Sequence, residues 1–333
     1  MLEIVKPGLE TSVQELPGRI GHWEQGFPPS GPADAWSFRL ANLLVGNHRD
    51  TAALEWQFLA PTIRFHTNCS IALTGAPQAA TLDGKEVPTW QTVPVRAGQV
   101  LTGGAAKVGA RGYIAVSGGL DTPKVLGSRA TFHMASIGGL GRGALVAGDQ
   151  VPLGHAAPVP IKEVLYQARP PIDPKARRGT EIEAIAMMAG PNDAWLDEEG
   201  VRVFLNEEWT VQAKSNRTGL RLSGPPIKFS PKAYDKPLEH GSEPSNILDH
   251  GYPIGGVSIA GQTPIIFIQD APSAGGFMVP FTVPRAELWR LGQLRPGEKI
   301  RFKLVSREQA DSLRRSIDAL CNDTSLIAVT QAN

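Results

Sequence analysis

Cysteine is scarce in this sequence, and long apolar runs are missing. The 333 residues include only Cys69 and Cys321, far apart in the chain. The N-terminal segment has no basic stretch followed by an apolar one, and no apolar run approaches the length of a membrane span. We therefore expect a cytoplasmic protein without membrane contact, in which both thiols are small buried apolar groups.

Net charge is low as well, at +1 with histidine neutral. It offers no electrostatic reason to expect nucleic acid or an anionic membrane as a partner. The seven histidines are scattered without ligand spacing, so we expect no metal site. Glycine and proline are abundant instead, with 36 and 28 residues against an average combined usage of about 12%. They separate short apolar runs, which predicts a mainly β protein with many turns and a few short helices.

The chain is long enough for two domains, or for one large one. We predict an N-terminal β-rich half over residues 1–155, a Pro-rich linker over 156–180, and a C-terminal β-rich half over 181–333 that ends in a helical tail. The apolar face of that tail is suited to docking on its own core or on a partner. Within the first half, residues 33–46 are predicted to form a helix capped by Asp34 and ended by Gly46. The stretch "DGKEV" predicts a hairpin turn.

One stretch after an apolar run is unusually polar. The run "TPIIFI" predicts a buried strand, and it continues into "QDAPSAGGF", residues 269–277. Such a strand would hold Asp270 and Ser273 in place, while Gly275 and Gly276 in a turn would let a ligand approach closely. The alternative is a tight turn whose Asp and Ser side chains bond their own backbone.

Two further segments carry polar groups suited to small ligands. The first, "SNRTG", contains Asn216 and Arg217, and a planar guanidinium suits a carboxylate, carbamate or carbonyl oxygen. The second, "SNILDHGYPIGG", gathers Asn246, Asp249 and Tyr252 in what we predict to be a loop. The alternatives are an exposed hairpin arginine and a loop ordered by Asx turns.

Polar residues in the first half have simpler explanations. Ser30 and Asp34 precede the predicted helix, where they either cap it or form part of an anion site, and capping is the interpretation we prefer. Glu55 lies within an apolar strand, where an unpaired charge is costly, so we predict an ion pair with Arg39 or Arg129.

Two other motifs do not predict a site. "GGLGRGALVAGD" lacks the Lys-Ser/Thr of a phosphate loop and its strand–helix context. "AMM" places Met188 where a biotin acceptor would need lysine, so no covalent biotin is expected on this chain.

Several of these stretches together resemble a known family. The first half contains "SGPADAWSFRLANLLVGN", "ALEW", "TGA", "GYIAVSGGLDTPKVLGSRAT" and "AGD". They are similar to KipA-type carboxyltransferase subunits, also known as allophanate hydrolase subunit 2 and as the C-subunit of 5-oxoprolinase. The second half, with "SNRTGLRLSGP", "PSNILDHGYPIGGVSIAGQTPIIF" and "DAPSAGGF", most resembles the carboxyltransferase region of urea carboxylase.

The resemblance implies a fold of two β-rich, cyclophilin-like barrel halves and a reaction that needs other proteins. It implies a KipI-type partner, resembling allophanate hydrolase subunit 1, together with a biotin carboxylase and a biotin carrier. The carrier would bring carboxybiotin, the carboxyl group would pass to urea or a similar small amide, and ATP would be used only by partner subunits.

The resemblance also implies roles for the polar residues. Asp270 would be an acceptor or base, Arg217 would stabilise negative charge, and Asp249 would help to orient a planar amide. Substrate-binding roles fall to the remaining candidates, Asn216, Asn246, Tyr252, Ser273, Gly275 and Gly276.

Departures from the family pattern keep other functions open. The sequence contains no biotinyl-lysine motif, and Ala271 and Ala274 stand where urea carboxylases are expected to have Gly and a larger residue. One alternative is a subunit of an ATP-dependent, biotin-free complex of the 5-oxoprolinase type, with a ring-opening partner subunit. The other is a non-enzymatic regulator that binds a kinase through its KipI-type mate.

Overall fold

Strands dominate the protein. The structure, a computed structural model, describes residues 1–155, 159–172 and 184–329. Strands account for 32% of it and helices for 19%, so the predicted mainly β class is confirmed. Among the described residues, none of the helices combines the length and apolar character that crossing a bilayer requires.

The helices and the strands are each numbered in chain order. The helices are α1 (Ala35–Leu44), α2 (Glu198–Asn206), α3 (Leu288–Gln293) and α4 (Arg307–Leu320). The strands are β1 (Leu2–Lys6), β2 (Ser12–Gln14), β3 (Ala53–Gln57), β4 (Thr62–Phe65), β5 (Cys69–Gly75), β6 (Ala80–Leu82), β7 (Lys85–Glu86), β8 (Thr92–Val95), β9 (Val100–Gly103), β10 (Arg111–Val116), β11 (Gln150–Val151), β12 (Lys162–Val164), β13 (Ile185–Ala189), β14 (Trp209–Val211), β15 (Gly219–Ser223), β16 (Asn246–Gly251), β17 (Gly256–Ala260), β18 (Thr263–Phe267), β19 (Ala274–Phe277), β20 (Phe281–Thr282), β21 (Lys299–Ile300), β22 (Phe302–Leu304) and β23 (Leu326–Ala328).

The chain divides into two compact units. The first unit takes in residues 1–20, 29–178 and 316–333, as far as these are described. One of its sheets has the order β11-β1-β4-β9-β6-β7, and another has the order β2-β3-β10-β5-β8. Apolar side chains from both sheets form a single core, because alternate residues of each strand face inward.

Local sequence signals in the first unit are confirmed. The Asp34 carboxylate accepts the Ser37 N–H at 3.0 Å and so caps α1, while Gly46 follows the helix with φ of +72°. Asp83 and Gly84 both have positive φ, 47° and 82°, and they join β6 to β7. Two such residues in succession form the turn that a two-residue hairpin requires.

Glu55 is paired, but not with the predicted arginines. Its carboxylate lies 3.6 Å from Arg111 Nε and accepts the Tyr113 hydroxyl at 2.8 Å. Arg39 pairs with other carboxylates, as does Arg129, so the predicted pairing is wrong. The register of β3 against β10 places Tyr113 directly opposite Glu55, and no local pattern reveals that register.

The start of α1 is engaged by the chain itself. Glu55 accepts the Ala33 N–H at 2.8 Å, and the Tyr113 hydroxyl accepts the Asp34 N–H at 2.8 Å. Burial, together with the Glu55 and Asp34 carboxylates, raises the pKa of Tyr113 well above its usual value. Since internal groups use these donors, the geometry agrees with a capping role for Asp34. The predicted capping by Ser30 is wrong, because its buried hydroxyl has no hydrogen-bond partner among the described residues.

Part of the predicted linker is regular structure. β12 pairs with β23 near the end of the chain, and the Trp36 indole donates to the Ala168 carbonyl at 2.9 Å. Residues 173–183 lie outside the described residues. The predicted tail helix is α4, and its last residues belong to the first unit, where Asp318 lies 3.1 Å from Arg39. That end of the tail therefore docks on its own chain.

The second unit takes in residues 21–28 and 179–315, as far as these are described. Its main sheet has the order β21-β14-β15-β18-β17-β20-β13-β22. The two outer strands, β21 and β22, are separated in sequence by Arg301 alone, so the sheet curls into a nearly closed barrel. Phe204 of α2 lies in the core, with its ring centroid 4.8 Å from Trp209 and 4.9 Å from Phe281. A separate ribbon in this unit consists of β16 paired with β19.

Candidate functional site

Two predicted catalytic residues form a buried ion pair. Arg217 Nε lies 3.0 Å from Asp270 Oδ2, and Arg217 Nη2 lies 3.3 Å from Oδ1. The two residues are only 5% and 3% exposed. In addition, the Asp270 N–H donates to the Arg217 carbonyl at 2.9 Å. This two-point contact fixes the turn that follows β18.

The sheet explains why these residues meet although 53 positions separate them. β15 pairs with β18, and Gly219 lies opposite Phe267. The segment before β15 is therefore next to the segment after β18. Asn216 shapes the first of these segments, because its side chain accepts the Thr218 N–H at 2.9 Å. That contact is an Asx turn, and the buried Arg217 beside it is not the exposed hairpin arginine of the alternative prediction.

Gly275 and Gly276 are not in a turn, and that part of the prediction is wrong. Both lie within β19. A Cβ atom on Gly275 would lie 2.6 Å from the Tyr252 ring, and one on Gly276 would lie 2.8 Å from an Asp249 carboxylate oxygen. The glycines therefore leave room for the Tyr252 and Asp249 side chains.

Tyr252 immediately follows β16 and packs against β19. It is 4% exposed, and its ring centroid lies 4.7 Å from that of Phe267. Its hydroxyl oxygen accepts the Phe277 N–H at 2.7 Å, and its own N–H donates to the Ser273 carbonyl at 2.9 Å. Burial raises the pKa of Tyr252 above its usual value, so the phenol remains neutral at physiological pH.

The other predicted residues differ in burial and in their contacts. Ser273 is half-buried and stands between the ion pair and β19. Asp249 is exposed on β16, a strand where we expected a loop. Asn246 begins that strand opposite Phe277, and its carbonyl accepts the Lys236 ammonium at 2.7 Å. The contacts thus join Arg217 to Asp270, Tyr252 to Ser273 and Gly275, and Asp249 to Gly276.

Trp23 belongs to the same site, and sequence reasoning missed it. Its indole N–H donates to the Ser273 carbonyl at 3.2 Å, across 250 residues of sequence. The only local signal is a tryptophan within a polar, glycine-flanked segment, "GHWEQG". Nothing in that signal indicates a contact with the second half.

The described residues contain no group of three or more His, Cys, Asp or Glu side chains placed to hold a metal ion. Several side chains around Ser273 are suited to binding a small polar molecule. They comprise the buried Arg217–Asp270 pair, the half-buried Ser273 hydroxyl and the exposed Asp249 carboxylate. Such a set can bind a small planar amide by accepting its N–H groups and donating to its oxygen.

This mainly β fold is that of a carboxyltransferase domain. The family model "Carboxyltransferase domain, subdomain A and B" matches residues 25–304, and the chain belongs to this family. The predicted resemblance is thereby confirmed.

Two curated relatives differ in how much of their own length this chain covers. Urea amidolyase of Saccharomyces cerevisiae is 40% identical over 319 residues, which cover 95% of this chain and 17% of that protein. The chain thus spans a small part of such relatives. The C-subunit of 5-oxoprolinase from Escherichia coli is 34% identical over 322 residues, which cover 95% of this chain and 94% of that protein.

A solved structure agrees with these relatives. The crystal structure of the K. lactis urea amidolyase superimposes with a TM-score of 0.88 at 35% identity. The match covers 99% of this chain and 20% of that one. The similarity in fold therefore extends over nearly the whole chain.

Proposed function

We propose that this chain is a carboxyltransferase subunit that moves a carboxyl group from carboxybiotin, held on a separate carrier protein, to urea or a similar small amide. The observation that carries the proposal is that identity over 95% of the chain is higher to urea amidolyase, at 40%, than to the 5-oxoprolinase C-subunit, at 34%. A KipI-type protein, a biotin carrier and a biotin carboxylase are the proposed partners, and ATP is used only by these partners.

Carboxybiotin would supply an activated carboxyl group. This chain would bind the amide and accept the proton that its nitrogen loses as the new C–N bond forms. The transfer would break the bond between the carboxyl carbon and the biotin nitrogen, and the accepted proton would pass on to that nitrogen. Asp249 suits proton acceptance because it is exposed beside β19, whereas both Asp270 oxygens already contact Arg217. Asp270 would instead hold Arg217 in place, and the guanidinium would favour negative charge developing on an oxygen.

A second function is favoured by a different observation. The chain spans 94% of the E. coli 5-oxoprolinase C-subunit, so the two chains are almost equal in extent. On that ground the alternative proposal is a subunit of an ATP-dependent complex that opens a lactam without biotin.

To distinguish carboxyl transfer from lactam opening, the complex is purified through a tag on this chain. ATP cleavage is measured with urea plus bicarbonate, or with 5-oxoproline, each with and without avidin. Urea-dependent cleavage that avidin abolishes supports carboxyl transfer. Cleavage that depends on 5-oxoproline and resists avidin refutes it and supports lactam opening.

A matched pair of variants tests the site in the same assay. Asp249→Asn should lower turnover by roughly 100-fold, the usual effect of removing a general base. Asp235→Asn changes another exposed aspartate of the second unit and should leave turnover unchanged. Equal activity of both variants would exclude Asp249 as the proton acceptor.

A further inference from the structure

A segment from the beginning of the chain is built into the second unit. Residues 21–28 cluster with that unit, and Trp23–Gln25 form a short 3-10 helix there. The Trp23 side chain packs against a small apolar cluster separate from the barrel core. Its buried members are Tyr252, Phe267, Ala271 and Val279.

The indole N–H of Trp23 contacts the candidate site at the Ser273 carbonyl. The Ser273 carbonyl accepts the indole N–H at 3.2 Å and also the Tyr252 N–H at 2.9 Å. A carbonyl oxygen has two lone pairs, so both are used, by donors from distant parts of the chain. This carbonyl lies three residues after Asp270 in the sequence.

Other contacts anchor the chain upstream and downstream of Ser273. Asp270 is bonded to Arg217 through backbone and side chain. Downstream, the Phe277 N–H donates to the Tyr252 hydroxyl at 2.7 Å. Between these two anchors, Trp23 and Tyr252 hold the turn at Ser273. Without the indole bond, the Ser273 carbonyl would keep only the Tyr252 contact.

We propose that Trp23 is a positioning residue of the candidate site: through the Ser273 carbonyl it sets the place of the Ser273 hydroxyl relative to the Arg217–Asp270 pair and to a bound small amide. The effect on catalysis rests on the proposed carboxyl transfer, whereas the effect on the turn does not. Because Trp23 is placed to contact the turn rather than the reacting atoms, we assign it no catalytic step.

The test compares Trp23→Phe with Trp36→Phe in the complete complex. Trp36 is a matched control, because its indole also donates to a backbone carbonyl, that of Ala168 at 2.9 Å, but in the first unit. The first measurement is backbone hydrogen exchange in residues 268–277, which needs no substrate. Loss of one such bond should speed exchange there by roughly three- to tenfold in Trp23→Phe and leave it unchanged in Trp36→Phe.

The second measurement is the KM for urea in avidin-sensitive transfer. A displaced site binds its substrate more weakly, so KM should rise at least about threefold in Trp23→Phe. A loss of folded protein alone would lower the apparent kcat and leave KM unchanged.

The outcomes distinguish failure of the positioning role of Trp23 from failure of the proposed carboxyl transfer. Unchanged exchange in residues 268–277, or faster exchange with unchanged KM, overturns the positioning role. If the wild-type complex shows no urea-dependent transfer, the proposed function fails. KM is then measured for 5-oxoproline instead, and a rise in Trp23→Phe alone still supports positioning.

Discussion

Replacing Asp270 with asparagine leaves the Arg217 guanidinium with a neutral neighbour in a site that holds little water, since the two residues are 5% and 3% exposed. Removing one partner of a buried pair costs about 3–5 kcal/mol, because the remaining charge loses its compensation. For a unit of this size, the melting temperature should fall by roughly 6–20 °C. Loss of activity in Asp270→Asn alone would therefore not separate a role in the reaction from loss of stability.

The double variant Arg217→Met/Asp270→Asn removes both charges. It should be less destabilised than the sum of the two single variants, because no buried charge is left without compensation. Unfolding is best followed by tryptophan fluorescence and circular dichroism in guanidinium chloride, since urea is the proposed substrate. Two transitions are expected from two compact units.

A surface pair in the same unit provides the control. Arg202 Nε lies 2.7 Å from Glu199 Oε2 in α2, but the two side chains are 56% and 38% exposed. Arg202→Met should leave the transition unchanged, because water solvates both charges. Single variants at Arg217 and Asp270 that each cost less than about 1 kcal/mol, or that add up in the double variant, would contradict the reasoning.

Three further changes have defined outcomes. Tyr113→Phe removes the hydroxyl that bonds Glu55, and thermal unfolding should show a cost of about 1–3 kcal/mol. Gly275→Ala places a Cβ atom 2.6 Å from the Tyr252 ring, so the ribbon must shift at a cost of roughly 1–3 kcal/mol in denaturant unfolding. Burial raises the pKa of Cys69 to about 11, so alkylation of the native protein should be slow at pH 8 and quicken towards pH 11. Because the native state keeps a thiol proton that the unfolded chain releases, Cys69 should also make stability fall as pH rises above about 9.

The predictions for Tyr113, Gly275 and Cys69 each have their own control. Tyr166→Phe alters an exposed tyrosine and should not change the melting temperature. Gly251→Ala adds a Cβ atom whose nearest neighbour is 3.9 Å away, and equal loss in both glycine variants would refute the crowding argument. In guanidinium chloride both cysteines should alkylate at the rate of a free thiol, whereas equally rapid reaction of the native protein at pH 8 would contradict the raised pKa of the half-buried Cys69.

Much of the architecture could be predicted because its signals are local. Asp34 before an apolar-periodic stretch and Gly46 after it mark the ends of α1, and Asp83-Gly84 between two short strands marks a hairpin. The site could be predicted in part. The polar residues after β18 and before β15 can be identified individually, but their union as an ion pair depends on strand pairing between distant segments.

The sequence alone therefore determined the β-rich class, the caps and turns, the family motifs and the residue types available to a site, since each depends on neighbours within a few positions. Tertiary structure decided which distant residues contact one another. The register of β3 and β10 gave Glu55 its partners, and pairing of β16 with β19 turned an expected glycine turn into a strand crowded by Tyr252. The contact of Trp23 with Ser273 arose in the same way. Such contacts join segments by close packing, and the identity of a residue does not specify which distant surface it will meet.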